Sequence, residues 1–150
     1  MSYRLLLPLL LAVCLALLGG CALPHIVIHD DPLTPKEHLK LGMAYEAKGE
    51  TSRADAEYRL AVRQEPLAHL YLGNLLFGQG KLGDAEDEYR AAQKALPENA
   101  EVLNNLAWLL HTRKKAPAEA EALAERAVSL EPSRPAFGDT LRAIRAARSQ

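Results

Sequence analysis

The sequence predicts an all-α fold, a right-handed solenoid of helix pairs, and three observations carry that prediction. Leu41-Gly42, Gly49, Ala54, Tyr58, Ala61 and Pro66 recur 31 residues later as Leu72-Gly73, Gly80, Ala85, Tyr89, Ala92 and Pro97. A third copy follows as Leu106-Ala107, Ala120, Ala124, Ala127 and Pro132, with one extra residue in its middle turn. A fixed period of this size marks stacked supersecondary units rather than one closed core. The third observation is internal to each copy. Apolar residues run at helical spacing up to a break, at Gly49 or Gly80, and resume in a second helix.

The first element, residues 1–20, reads as a signal peptide. Met1 to Arg4 is a short basic start, and Leu5 to Leu18 is an apolar run too short for an ordinary spanning helix. The run ends in Leu18-Gly19-Gly20-Cys21, which resembles the bacterial lipoprotein box. That resemblance implies cleavage before Cys21 and a diacylglyceryl group on its thiol, with palmitate-type acyl chains in the membrane. An uncleaved anchor with an incidental cysteine is the competing reading. Cys14 leaves with the signal and Cys21 is acylated, so no thiol pair remains for a disulfide or a cysteine metal site. Ala22 stands where an inner-membrane retention signal would carry aspartate, which favours the periplasmic face of the outer membrane.

Residues 21–34 read as the lipidated tether. The extended stretch from Ala22 to Thr34 would reach at most about 45 Å. His25 and His29 are bracketed by Pro24 and Pro32, so a helix cannot stack their rings on one face, and no metal site is expected. The apolar triplet Ile26-Val27-Ile28 could instead dock on the first helix pair.

The repeats occupy residues 35–150, as units at about 35–66, 67–97 and 99–132 and a capping helix at about 134–148. Thr34-Pro35-Lys36-Glu37 is a helix start, with Thr34 as N-cap and Glu37 completing a capping box. The second helix begins near Thr51 or Ser52, and Pro66 stops it. The next pair runs from about Leu67 to Gln79 and from about Gly83 to Leu96. Asn99 caps the third pair, which runs from about Ala100 to Arg113 and from about Pro117 to Leu130. Gly42 and Gly73 let paired helices approach closely. Tyr58 and Tyr89 read as wedges between units, with their hydroxyls at the wet edge. Phe137 to Arg148 reads as a lone terminal helix with Arg142, Arg145 and Arg148 outward, which caps the apolar end of such an array.

These positions resemble the tetratricopeptide repeat, a helix-turn-helix unit that usually binds other proteins, over roughly Pro35 to the C-terminus. The period departs from the family's usual length, so the step from the first unit to the second should tighten. Carrying the family's groove-facing spacing onto this chain points to Leu39, Met43 and Glu46, then Leu70, Asn74 and Phe77, then Asn104, Trp108 and His111. Some families clamp a peptide carboxylate there with lysine and arginine. Here only Asn74 and Asn104 fit that pattern. An apolar and aromatic groove with two amides suits a peptide segment held by side-chain burial and backbone hydrogen bonds.

Catalytic signatures are missing from the sequence: no Gly-rich phosphate loop, no nucleophile elbow and no helical His-x-x-x-His pair with a Glu. An enzyme, a cofactor and a small-molecule substrate are therefore not expected. The net charge of −1 and the lack of a basic-aromatic face argue against nucleic acid. His38, His69 and His111 read as partly buried histidines at related depths. The run Asp84, Glu86, Asp87 and Glu88 suits the start of a helix dipole. Gly80 to Asp84 and Arg113 to Lys115 read as solvated corners. Together these readings describe a lipid-anchored envelope scaffold that binds a protein partner, for assembly of an envelope, secretion or pilus complex. The alternative is an accessory subunit that regulates an envelope peptidase or cell-wall enzyme, or presents substrate to it. A protein whose Cys21 carries more than one acyl chain attaches lastingly, because each buried CH₂ contributes about 0.8 kcal/mol. Mass spectrometry of the membrane fraction should find a mature chain that begins at acylated Cys21; an unmodified Cys21 there would refute the reading.

Overall fold

The computed structural model describes residues 31–149. The expected signal, Cys21, and His25 and His29 of the tether lie outside them. Among the described residues there are seven helices and no strand. They are α1 (Pro35–Ala47), α2 (Thr51–Ala61), α3 (Leu67–Gly78), α4 (Leu82–Ala95), α5 (Ala100–Thr112), α6 (Pro117–Leu130) and α7 (Pro135–Arg148). Helices α1/α2, α3/α4 and α5/α6 form three antiparallel pairs, each packed on the next, and α7 covers the last. None of these helices is long and apolar enough to cross a membrane.

Local chemistry sets the boundaries. Thr34 accepts from the Glu37 N–H at 3.3 Å, and the Thr34 N–H donates to Glu37 Oε2 at 2.7 Å, which completes the capping box of α1. Asn99 Oδ1 accepts from the Val102 N–H at 3.1 Å and caps α5. Helix α2 stops at Ala61, before Pro66, which serves instead as the cap of α3. Gly49 and Gly80 take φ of 74° and 73° in the turns inside the first two pairs. Their counterpart in the third pair, Lys114, is forced to φ 51°, a backbone region that costs a side chain about 1–2 kcal/mol.

The core is built on two glycine–tyrosine contacts. A Cβ on Gly42 would lie 2.5 Å from the Tyr58 ring, and one on Gly73 would lie 2.6 Å from the Tyr89 ring. Each tyrosine therefore packs into its own pair, which corrects the expectation of a wedge purely between units. Tyr58 does also stack on Tyr71 of the next pair, with ring centroids 6.0 Å apart. Both hydroxyls are buried rather than at a wet edge. Tyr58 Oη donates to Glu46 Oε2 at 2.5 Å and Tyr89 Oη to Asn74 Oδ1 at 2.8 Å. Burial, then the Glu46 carboxylate, pushes the Tyr58 phenol far above its ordinary range; burial, then the charge of Glu101, does the same to Tyr89. In the third pair both partners are small, Ala107 against Ala124, and both are fully buried.

The acidic run of α4 does more than meet a dipole. Glu86 is buried and receives Arg90 Nε at 3.0 Å, Lys115 Nζ at 2.9 Å and Arg113 Nη1. Arg90 also holds Glu119 of α6 through Nη1 and Nη2, at 2.8 and 3.2 Å. Arg113 and Lys115 are thus clamps across the second and third pairs, not solvated corners. Glu121, in register with Glu86, takes Arg145 at 2.8 Å and also Arg148. The outward arginines of α7 therefore tie it to α6, while Arg142 pairs with Asp139 inside α7. His38 and His69 each bring Nδ1 within 2.7 Å of a carboxylate, Glu57 and Glu88, in the second helix of the same pair. His111 is out of register with them and instead lies beside Trp108.

Two predictions follow from this packing. Gly73→Ala should destabilise the chain by about 1–3 kcal/mol, because the buried ring of Tyr89 cannot move away from a Cβ. Gly78→Ala, which meets nothing within 4 Å, should be neutral or slightly stabilising. Urea denaturation distinguishes the two. At Glu86, burial pushes the carboxyl up, but hydrogen bonds from Lys115 and Arg90 outweigh it and hold it below the ordinary carboxylate range. A depressed folded-state value contributes stability above the unfolded carboxylate range, which is lost as pH falls through the folded value. Glu86→Gln should therefore cost about 1.5–3 kcal/mol at pH 7. The difference from the parent should shrink towards zero in the same titration run well below pH 4.

Candidate peptide-binding groove

Helices α1, α3 and α5 present corresponding faces, and the nine candidate residues fall into three rows across them. Leu39 and Leu70 begin the first row, and both are core residues, 6% and 2% exposed. They pack the units together and cannot offer contact to a partner, which corrects their placement in the groove. The third member, Asn104, stays at the surface of the stack with its Oδ1 turned inward. The middle row is Met43, Asn74 and Trp108. Met43 and Trp108 are 40% exposed, unusual for side chains of this size, and Asn74 lies half-buried between them. The last row is Glu46, Phe77 and His111. Glu46 is held by the Tyr58 hydroxyl, Phe77 packs on the core edge, and His111 tilts against Trp108 at 5.3 Å between centroids.

The amides form one network rather than two independent hooks. Asn74 Oδ1 accepts from both Tyr89 Oη and Asn105 Nδ2, the latter at 2.9 Å. Asn104 Nδ2 donates to Asn105 Oδ1 at 3.2 Å. Asn104 Oδ1 is left buried without a hydrogen-bond partner, the only such side-chain atom among the described residues. An orphaned acceptor of this kind costs about 1–3 kcal/mol unless something donates to it. Asn104 lines a cavity of about 560 Å³ bounded also by Asn74, Phe77, Asn105 and Trp108, with Asp139, Thr140 and Ala143 of α7 on the far side. A space of that volume, mostly apolar with a few fixed amides, suits one or two side chains and a short stretch of backbone.

Sequence reasoning missed Asn105 and the whole contribution of α7. Asn105 lies in register with Lys40 and Tyr71, outside the three rows that the spacing assigned to the groove, and it joins the network by donating to Asn74. Thr140 and Ala143 were hidden by the reading of α7 as a cap alone. The signal was there: α7 carries Thr140, Ala143 and Ala147 at helical spacing along one side, too small to fill a seam.

Comparison with known proteins agrees with this architecture. The family model described as the tetratricopeptide repeat matches residues 39–100 and 72–135. No curated protein matches the chain. Among solved structures, the first TPR of Spaghetti (RPAP3), bound to the HSP90 peptide SRMEEVD, superposes with a TM-score of 0.72 at 21% identity. That match covers 82% of this chain and 99% of the other. The TPR domain of Arabidopsis OM64 gives a TM-score of 0.68 at 15% identity, over 75% of this chain and 95% of that one. The structure of pilF from Pseudomonas aeruginosa gives 0.68 at 24% identity over 79% of this chain, which spans only 56% of the longer protein. At these identities the likeness is one of fold. The chain belongs to the tetratricopeptide repeat family.

Proposed function

We propose that this tetratricopeptide repeat protein is a lipid-anchored scaffold of the bacterial cell envelope that holds a segment of a protein partner along the faces of α1, α3 and α5. The observation that carries the reading is the exposure of Met43 and Trp108 in one row with an ordered amide network between them. Large apolar side chains left in water on a rigid surface are the common anchors of protein interfaces. The amides supply fixed polar groups for a peptide backbone beside these anchors. A peptide complex of a protein with this fold, the RPAP3 domain, supports the use of such arrays for peptide capture. No step of the reading requires catalysis, a metal or a cofactor.

The envelope role rests on the sequence alone, on the apolar run and on Leu18-Gly19-Gly20-Cys21. It implies a partner at the periplasmic face of the outer membrane, in the assembly of an envelope, secretion or pilus complex.

The test is cross-linking in intact cells followed by mass spectrometry of what accompanies the protein. Replacing both Phe77 and Trp108 by alanine should keep helix content and reduce recovery of the partners, because truncating an aromatic anchor typically costs ~2 kcal/mol or more. Recovery of the same partners in the same yield would move the binding site away from this face.

A further inference from the structure

Beyond the groove, a second cavity of about 590 Å³ opens where the end of α5, the start of α6 and the end of α7 meet. Its deepest residues, Leu110, Ala120 and Ile144, are fully buried, and the apolar surface it offers is that of Trp108, Pro117 and Ala147. Trp108 forms the wall it shares with the groove. Its rim carries His111, Lys114, Lys115 and Arg148 and no carboxylate.

The repeat explains why this corner is open. In the preceding unit the same corner lies between the end of α3, the start of α4 and the end of α5. Arg113 crosses it, donating to the Leu82 carbonyl at 3.3 Å and to Glu86. Register places Ala147 at the position of Arg113 in α7, and an alanine cannot fill the space. The carboxylate that a replacement cation would seek, Glu121, is already held by Arg145 and Arg148. Lys115 is committed to Glu86. The Lys114 ammonium has no ion-pair partner among the described residues, and the strained turn at φ 51° holds it at the rim. The corner is therefore apolar below, positively charged above, and empty of the side chain that fills its counterpart.

We propose that this corner is a binding site for an acidic peptide segment, with an apolar side chain against Trp108, Pro117 and Ala147 and neighbouring carboxylates at Lys114. It rests on the groove reading only through Trp108, since a partner lying along α5 would cross from one cavity into the other over that ring. The partner would then lie with its acidic end towards the α5–α6 turn. Complementary charge at a rim sets orientation and selects against basic competitors more than it adds affinity.

The chain has one tryptophan, Trp108, whose emission reports either cavity, and the Ala147 and Phe77 variants below tell the two apart. The experiment titrates the full-length chain with a blocked Gly-Leu-Asp-Glu-Asp peptide and with the charge-reversed Gly-Leu-Lys-Lys-Lys peptide. The acidic peptide should shift the emission saturably, and roughly threefold more weakly when salt rises from about 50 to about 300 mM. The basic peptide should leave it unchanged. Lys114→Glu should weaken binding about fivefold or more, and Lys114→Asn, which tolerates the left-handed turn, by a smaller factor. Ala147→Arg should abolish the shift by filling the space as Arg113 does. Ala147 and Lys114 are both exposed, and unchanged far-UV circular dichroism shows that the variants are folded. Equal binding of the two peptides, or indifference to Ala147→Arg, overturns the proposal. So does an emission shift that follows protein concentration without peptide, which identifies a second copy as the occupant. Phe77→Ala separates the two sites: Phe77 lines the first cavity only, so the acidic peptide should bind that variant as before whatever happens to the cross-linked partners.

Discussion

The approach of a tyrosine ring to bare backbone, at Gly42–Tyr58 and again at Gly73–Tyr89, is the contact on which the rest of the molecule depends. With ring carbons where a Cβ would stand, the two helices of a pair are closer than any side chain would allow. Burying the ring also buries a hydroxyl, and a buried hydroxyl needs a partner. The first helix supplies it, from Glu46 in one pair and Asn74 in the next. A core contact thus dictates the polar residues that face the groove and fixes their rotamers. In the third pair alanine opposes alanine and no hydroxyl has to be satisfied; position 108, in register with Met43 and Asn74, carries an indole.

Ion pairs distribute stability unevenly along this frame. Glu86 gathers three cations, one from its own helix and two from the α5–α6 turn, and Arg90 extends the network to Glu119. Glu121 repeats the arrangement with the arginines of α7. The corresponding residue of the first unit, Asp55, finds only Arg59 one turn away on its own helix. Among the described residues, the junction between the first and second pairs is held by packing, with Tyr58 on Tyr71. In an array where each unit contacts only its neighbours, such a difference makes the first pair the loosest coupled. The half of the molecule that carries both cavities is the half that is clamped.

The period, the helix starts at Thr34 and Asn99, and the glycine positions were legible in the sequence because each is a local signal with one physical meaning. The depth of a residue within a row was not. Leu39, Leu70 and Asn104 share a register, yet two are core and the third is half-buried. Glu86 looked like any carboxylate near a helix start; its burial depends on Arg113 and Lys115, about 30 residues away in the chain. Spacing identifies which residues share a face, whereas burial depends on what the neighbouring unit places against that face. His111 shows the same limit, since it sits in a first helix as His38 and His69 do but in a different row, and it meets Trp108 instead of a glutamate.

The two cavities both lie at α7, and the way the repeat pattern changes there explains them. The small position that admits a second helix reads Gly42, Gly73, Ala107 and then Leu141. A helix packed on α7 as α2 packs on α1 would meet the Leu141 side chain, which instead lies partly buried against the core. Among the described residues α7 buries one stripe, Phe137, Thr140 and Ile144, against α5 and α6. Its remaining inward positions, Ala143 and Ala147, are too small to fill the seams on either side of Trp108. An internal repeat would close those seams with a residue such as Arg113. On α7 they stay open, and both cavities beside Trp108 lie there.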